Sequence, residues 1–422
     1  MIVGALSLAG CSGDGGKKDE PASGGDAAGS SDISGEITYG YWDDDQTPAL
    51  KKNIEDFNKL YPDVKVTLNQ TPYGQYWTKM QTQAESGTLP DVFWINGPNF
   101  ELYASYGMVE PVTELIDSGK IDPSNYPDSL NNLYSIDGVQ YAVPKDYDTI
   151  GLWYNKAIFE EAGVDLPTDD WTWDDFTTAA NDISSALADK NIYGVAFMVG
   201  GQESYYNTIY QAGGEVISAD KKTSGFGSPE AIEGLQFWAD LVESGASPTI
   251  QQLSDTSAPD RFASGKAAMI WDVNWALAKY MESDHKDDID VIGLPKGKER
   301  ASIIHGLGYA VSKNSQNMEA AQAFQAFLGS EEAAKAQGEL GGVIPAFQGT
   351  QQTFLDFAPD LHLDIFIQAA DDYSVPYPTS LNGQAWGDLE TVLLPPAFAG
   401  DVPMAEAAKD LATQMDAILA AN

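Results

Sequence analysis

The chain has 422 residues, 43% hydrophobic and 20% charged, enough for two domains that each bury a core. Its 63 acidic against 23 basic residues give a formal charge of −40, which repels nucleic-acid phosphates and anionic lipid headgroups and sets nucleic-acid binding aside. A single cysteine excludes a disulfide framework, three scattered histidines (His285, His305, His362) lack the spacing of a zinc site, and no run of about 18 apolar residues offers a spanning helix.

The chain opens "MIVGALSLAGC", where Ile2 to Ala9 form an apolar run like that of a secretory signal. "LAGC" resembles the lipobox of bacterial lipoproteins. That resemblance implies that residues 1–11 are a signal, that Cys11 is lipidated, and that the body stands off the outer face of a membrane, held by the lipid alone. Residues 12–35 are mostly Gly, Ser, Asp and Ala; they cannot bury a core and read as a flexible tether.

From Ser34 strand and helix signals alternate. Ile37, Tyr39 and Tyr41 alternate as in a strand, and Leu50, Ile54, Phe57 and Leu60 share a helical face. "PDVKVTL" alternates again, "YGQYWTKMQTQAESG" predicts a helix stopped by Gly87, and "PDVFWI" predicts a strand buried on both faces. Further on, "IYGVAFMVG" (192–200), "KAAMIWDV" (266–273) and "IDVIGLP" (289–295) predict strands. Between them, Ile232, Leu235, Ala239 and Val242 make a helical face. "EAAQAFQAFLGSEEAAKAQGEL" and "VPMAEAAKDLATQMDAILAAN" predict the closing helices, the last with Met404, Ala408, Leu411, Met415 and Ile418 on one side. The pattern predicts an α/β fold with open, mainly parallel sheets flanked by helices.

Several segments then fall into one order: "LPDVFWI", "YAVPKDYDTIGLWYNKAIFEEAGVDLP" followed by "WTWDDF", "RFASGKAAMIWDVNW", "LPKGK" and "HGLGYAVSKNSQNMEAAQAFQAFL". Together they resemble the family 1 extracellular solute-binding proteins of ABC transporters, the group that includes maltose-type sugar binders. The resemblance implies a two-lobe periplasmic-binding-protein-like fold, each lobe a mainly parallel sheet with helices, joined by hinge segments. It puts lobe one at 36–147 plus 305–348 and lobe two at 148–304 plus 349–422. It implies a monomer that closes on a carbohydrate and then docks on ABC permease membrane subunits, and the several candidate aromatics, enough for more than one sugar subsite, favour an oligosaccharide. No cofactor is implied.

Ligands of open α/β sheets bind beyond the carboxyl ends of the strands, which points to Trp42, Asp43, Asn96, Trp271 and Trp275. In "YWDDD" an aromatic face can stack on sugar CH groups and a carboxylate can accept hydroxyls, so Trp42 with Asp43 or Asp44 is a candidate contact. The competing assignments are an acidic helix cap, in which an Asp or Thr47 caps the helix near Pro48, and a calcium loop, for which the alternating ligands and Gly are missing. Trp275 and Trp386 are candidate platforms, whereas Trp271 could equally end a buried strand. His305 and Gly306 lie at one proposed crossing, Asp146 at the other, and either Tyr205 or Tyr206 faces the cleft. Trp171 and Trp173 read as packing at a helix start, and Tyr154 and Asn155 as structural.

A glycoside hydrolase with tryptophan subsites and two carboxylates is the rival class, and a polyamine or peptide binder the second. No regular eightfold β/α repeat, Gly-x-Ser-x-Gly elbow, phosphate loop or His-Glu-x-x-His motif occurs. The sequence therefore favours a non-enzymatic binder.

Overall fold

The computed structural model describes residues 32–421, so Cys11 and all but the end of the tether lie outside the described residues. The strands are β1 (Gly35–Tyr41), β2 (Val64–Gln70), β3 (Val92–Asn96), the small hairpin β4 (Ser135–Ile136) and β5 (Val139–Gln140), β6 (Ala142–Asp148) and β7 (Ile150–Asn155). They continue as β8 (Tyr193–Val195), β9 (Ala267–Val273), β10 (Ile289–Gly293), β11 (Ser302–Val311), β12 (Ile344–Pro345) and β13 (Ser374–Pro376). A seven-stranded sheet runs β12-β6-β11-β3-β1-β2, with β13 also on β11, and a four-stranded sheet runs β10-β7-β9-β8.

Local sequence explains the elements. Ile37, Tyr39 and Tyr41 all turn into the core, where Tyr39 meets Phe324 edge-on at 5.3 Å and Tyr41 meets Trp94 at 5.6 Å. Every residue of β3 is buried, as a strand covered on both faces requires. The helix Tyr73–Ser86 stops at Gly87, whose φ of 68° is the left-handed stop that glycine adopts without a Cβ clash. Thr172 and Asp175 form a reciprocal capping box that starts the helix Trp173–Ala186. Asn155 caps the helix Lys156–Ala162 through Ile158 N–H.

Four expectations are corrected. Both sheets are mixed rather than mainly parallel. β1 pairs parallel with β2 and β3, but β11 runs antiparallel to β3 and β6, and β7 antiparallel to β9 and β10. The reason is connectivity: strands arriving from the other sheet enter against the direction of the local β-α-β units. The strand expected over 192–200 ends at Val195, because the chain leaves the sheet there and Ser204 Oγ ties back to the carbonyls of Met198 and Gly200. The long helical segment after Met318 is two helices, Met318–Leu328 and Glu331–Gly341, broken where Gly329 lies against Ile121 and Tyr126 with no room for a Cβ. In the helix Pro229–Glu243 the buried face includes Ala231, Leu235, Trp238 and Leu241, while Ile232 and Val242 are only half-buried.

The chain passes between the sheets at points that lie side by side. Thr149 separates β6 of the large sheet from β7 of the small one and is fully buried, its Oγ1 donating to Phe366 O at 2.8 Å. Ser302, the first residue of β11, accepts Ile150 N–H on its Oγ at 2.9 Å. β13 then runs parallel to the start of β11, Ser302 opposite Ser374. Replacing Ser302 by Ala leaves the Ile150 N–H buried without that acceptor. The expected cost is about 1–3 kcal/mol of unfolding free energy, read from a denaturant midpoint at unchanged slope. An unchanged midpoint would show that this bond does not hold the crossings together.

Candidate functional site

The side facing the large sheet is built on aromatics. Trp42 leaves the end of β1 and packs half-buried among Tyr76 (4.9 Å between ring centroids), Trp94 (5.2 Å), Tyr73 (5.6 Å) and Trp77 (6.0 Å). Tyr73 opens the next helix and keeps 55% of its surface exposed. Asn96, at the end of β3, is buried and accepts Asn99 Nδ2 at 2.9 Å.

An unbroken polar chain lies beside this cluster. Asp43 Oδ2 accepts Gln46 Nε2 at 2.8 Å, and Gln46 Oε1 accepts Lys145 Nζ at 2.6 Å. Lys145 in turn pairs with Asp146 and sits 4.4 Å above the Trp94 ring. Asp146 Oδ1 also accepts Leu307 N–H at 3.0 Å. Burial raises the Asp146 carboxyl above its usual range, and the Lys145 ammonium opposes the rise. No side chain caps the following helix; Gln46 is its N-cap and Asp44 stays exposed, 3.5 Å from Thr47 Oγ1.

At the crossings His305 Nε2 accepts Gly97 N–H at 3.2 Å, its Nδ1 lies 3.8 Å from Asp148 Oδ2, and its ring lies 4.9 Å from that of Tyr377. Asp148 Oδ1 accepts Gln202 Nε2 at 2.7 Å. Gln202 belongs to a π-helical turn, Gly201–Tyr205, an element that concentrates at functional positions.

A cavity of about 310 Å³ opens between these two sides. Tyr73 and Pro98 wall it from the large-sheet side. Gly200, Gly201, Tyr205, Tyr377, Trp386 and Glu390 wall it from the other. Trp386 is 2% exposed and donates Nε1–H to Ser380 Oγ at 2.8 Å. A neighbouring cavity of about 510 Å³, largely apolar, shares Val199, Gly200 and Pro395 with the first and adds Glu203.

Of the candidates read from the sequence, Tyr205 and Trp386 line the first cavity, and Trp42 backs its Tyr73 wall. Asn96, Asp146 and His305 are not among its lining residues; they are buried and accept, in turn, Asn99 Nδ2–H, Leu307 N–H and Gly97 N–H. Trp275, 50% exposed, follows β9. The Asp45 carboxyl is raised by partial desolvation and by the charges of Asp43, Glu282 and Asp44. Two candidates are displaced. Trp271 points into the core against Trp238 (5.0 Å) and Phe176 (5.8 Å), because an inward residue of a fully buried strand has no route to the cleft. Gly306 serves the sheet: a Cβ there would run into Asp146 O, and its own carbonyl accepts Tyr134 O–H at 2.6 Å.

Sequence reading misses Tyr73, Lys145, Gln202, Glu203, Tyr377 and Glu390. Gly200-Gly201 is the available signal, since paired glycines after an apolar run mark a chain reversal. Among the described residues no cluster of His, Cys, Asp and Glu could hold a metal, and no helix is long and apolar enough to cross a membrane.

Desolvation raises Glu203 and Glu390 to about 7 and Asp272 to about 6, the last despite the Tyr280 hydroxyl and Val273 N–H that it accepts. An acid whose pKa rises on folding favours the fold most when protonated. That stabilisation is complete below the unfolded pKa and is lost as pH climbs through the folded one. Thermal stability should therefore fall as pH rises from about 4 to about 7, by roughly 1–3 kcal/mol per group. Glu203→Gln should flatten part of the fall; a melting temperature that rises over this range would contradict the burial of these carboxyls.

The comparisons agree with this architecture. The sequence pattern of the bacterial extracellular solute-binding proteins matches residues 43–335. The multiple sugar-binding protein of Streptococcus mutans is 25% identical over 72% of this chain and 73% of its own. The galactooligosaccharide-binding protein of Bacillus subtilis is 26% identical over 72% of each. An ABC substrate-binding protein of Listeria monocytogenes, solved in complex with cycloalternan, superposes with a TM-score of 0.85 at 28% identity, covering 92% of this chain and 100% of that one. Maltose-bound MalE3 of T. maritima gives 0.78 at 23%, covering 91% and 99%, and shares the two-lobe periplasmic-binding-protein-like fold. With the matched region spanning more than half of its length, this chain belongs to the bacterial extracellular solute-binding protein family.

Proposed function

We propose that the chain captures a carbohydrate, an oligosaccharide by preference, and delivers it to an ABC importer by closing its lobes around it. The observation that carries this reading is the cavity between the sheets, where an exposed tyrosine faces tyrosines and a tryptophan, and carboxylates and amides supply acceptors and donors. Such walls match a sugar, whose CH face stacks on rings while its hydroxyls bond to polar side chains. The relatives named for multiple sugars, galactooligosaccharides and maltooligosaccharides support the same class.

Ligand contacts are proposed for Tyr73, Trp386, Tyr205, Trp275, Asp43 or Asp44, Gln202 and Glu203, with Trp42, Asn96, Asp146 and His305 holding the walls. Lobe one is 36–147 plus 305–348 and lobe two 148–304 plus 349–422. The passages of the chain between the sheets, at Thr149 and just before Ser302, fall within a few residues of two of those limits. Only contacts that differ between open and closed states drive closure. The pair Lys221–Glu101, at 2.6 Å, joins the two halves in this structure. Lipidation at Cys11 would keep this monomer at the outer face of the cell membrane, near its permease. A maltooligosaccharide-binding relative named as a lipoprotein supports this placement.

The test is calorimetry with glucose, maltose, maltotriose and galacto-oligosaccharides, each checked afterwards for cleavage. Saturable binding of an intact sugar is expected; cleavage products would replace the reading with a hydrolase, and silence would withdraw carbohydrate. Tyr73→Ala and Trp275→Ala should each weaken binding by about three- to tenfold, one aromatic contact's worth, at wild-type melting temperature. Unchanged affinity in either would remove that residue from the site.

A further inference from the structure

Glu390 lies one turn beyond Trp386 on the helix Gly383–Leu393, so both side chains leave the same face. It is 4% exposed and both oxygens are occupied: Oε2 accepts Tyr205 O–H and Oε1 accepts Tyr206 O–H, each at 2.6 Å. The two tyrosines end the π-helical turn that begins at Gly201. Gly201 in turn rests on the Tyr206 ring so closely that a Cβ would run into it. The position of Tyr206 therefore sets the height of the 199–201 strap, which walls the cavity opposite Tyr73.

We propose that Glu390, in its ionised form, is a positioning residue for ligand binding: by accepting both tyrosine hydroxyls it fixes the strap relative to Trp386 and so sets the shape of the cavity. The choice of ligand rests on the carbohydrate reading; the clamp itself does not. An ionised carboxylate offers an acceptor to each hydroxyl, whereas a protonated carboxyl uses one oxygen as a donor and forces one tyrosine to turn. The two charge-assisted bonds hold the ionised shape, but burial outweighs them, so the strap opens more readily once Glu390 is ionised. Desolvation raises Glu390 to about 7, with both tyrosines opposing the rise, which puts the change in an accessible range.

The groups around it are few. Tyr205, Tyr206 and Glu203 come from the strap and its helix, and Tyr377 from the segment before the 383–393 helix. Glu101, on the helix Gly97–Ser105, is already paired with Lys221. The C-terminal helix Met404–Leu419 turns Met404, Ala408 and Leu411 inward, and Pro395–Phe398 carries no titratable side chain. Asp388, on its own helix, accepts Gln384 Nε2 near solvent. Glu203 titrates in the same range, so the experiment must separate the two.

Hydrogen exchange of the 199–206 amides, corrected for intrinsic pH dependence, reads the clamp without any ligand. In the wild type, protection should step down as pH rises from about 5 through about 7, because burial disfavours the ionised carboxyl; in Glu390→Gln, the neutral isostere, it should stay high throughout; in Glu203→Gln the step should persist. Maltotriose calorimetry over the same range should show Glu390→Gln equal to wild type at acid pH and weaker by roughly three- to tenfold at alkaline pH. Tyr206→Phe, which removes one donor and keeps the carboxyl, should move the step to higher pH, and it decides the matter should Glu390→Gln fail to fold. A step that survives in Glu390→Gln or vanishes in Glu203→Gln overturns the proposal. So does an affinity loss equal at every pH, which marks a merely structural role, or a Tyr206→Phe step left where it was. Absence of sugar binding alongside an intact exchange step would refute the carbohydrate reading and leave the clamp standing.

Discussion

The hydrogen bonds between Ser302 and Ile150 and between Thr149 and Phe366 hold the chain's passages between its two sheets against one another. Everything functional hangs from that narrow waist. β11 begins beside β13, continues between β6 and β3, and carries a register shift at Leu307/Gly308 where the sheet bends. The passages are adjacent and bonded to one another, an arrangement compatible with closure by hinge motion. The cavity lies where the two halves face each other, so its walls necessarily come from segments far apart in the chain, Tyr73 on one side and Tyr377 and Trp386 on the other.

The chain's acidity has a different meaning at the surface and in the cavity. Outside, most of the 63 acidic residues are solvated and serve solubility. Inside, carboxylates have specific partners: Asp146 has Lys145, Asp148 has Gln202, Glu390 has two tyrosines and Asp272 has Tyr280. Glu203 receives no side-chain donor among the described residues and lines the second cavity. Lys145 is the one buried lysine among the described residues, and it is neutralised in place. A neutral, hydroxyl-rich ligand fits such a site better than an anionic one, which would be repelled by these carboxylates.

Much of the fold is legible in the sequence. Apolar periodicity locates β1, β2, β3, β9 and the C-terminal helix to within a residue or two, because their buried stripes are local in sequence. Gly87 marks a helix end, and Thr172 with Asp175 a helix start, since caps are short-range chemistry. The order of the motifs carries the family and with it the two-lobe plan. Trp386 and Tyr205, both candidates from the sequence, line the first cavity, although Trp386 sits within a helix rather than on the turn its glycine-flanked setting suggests.

What the sequence by itself determined is thus the element pattern, the acidic character and the class of protein. What only the tertiary structure decided is which aromatics face the ligand and which the core. Trp271 and Trp386 are almost equally buried by area, yet one closes a strand's inner face and the other walls the cavity. The mixed strand directions, the partnership of Glu390 with Tyr205 and Tyr206, and the approach of His305 to Gly97 belong to the same class. Each joins residues separated by a long stretch of chain. Side-chain periodicity reports only a residue's orientation within its own element; the contact across elements is fixed by how the two sheets meet at the waist.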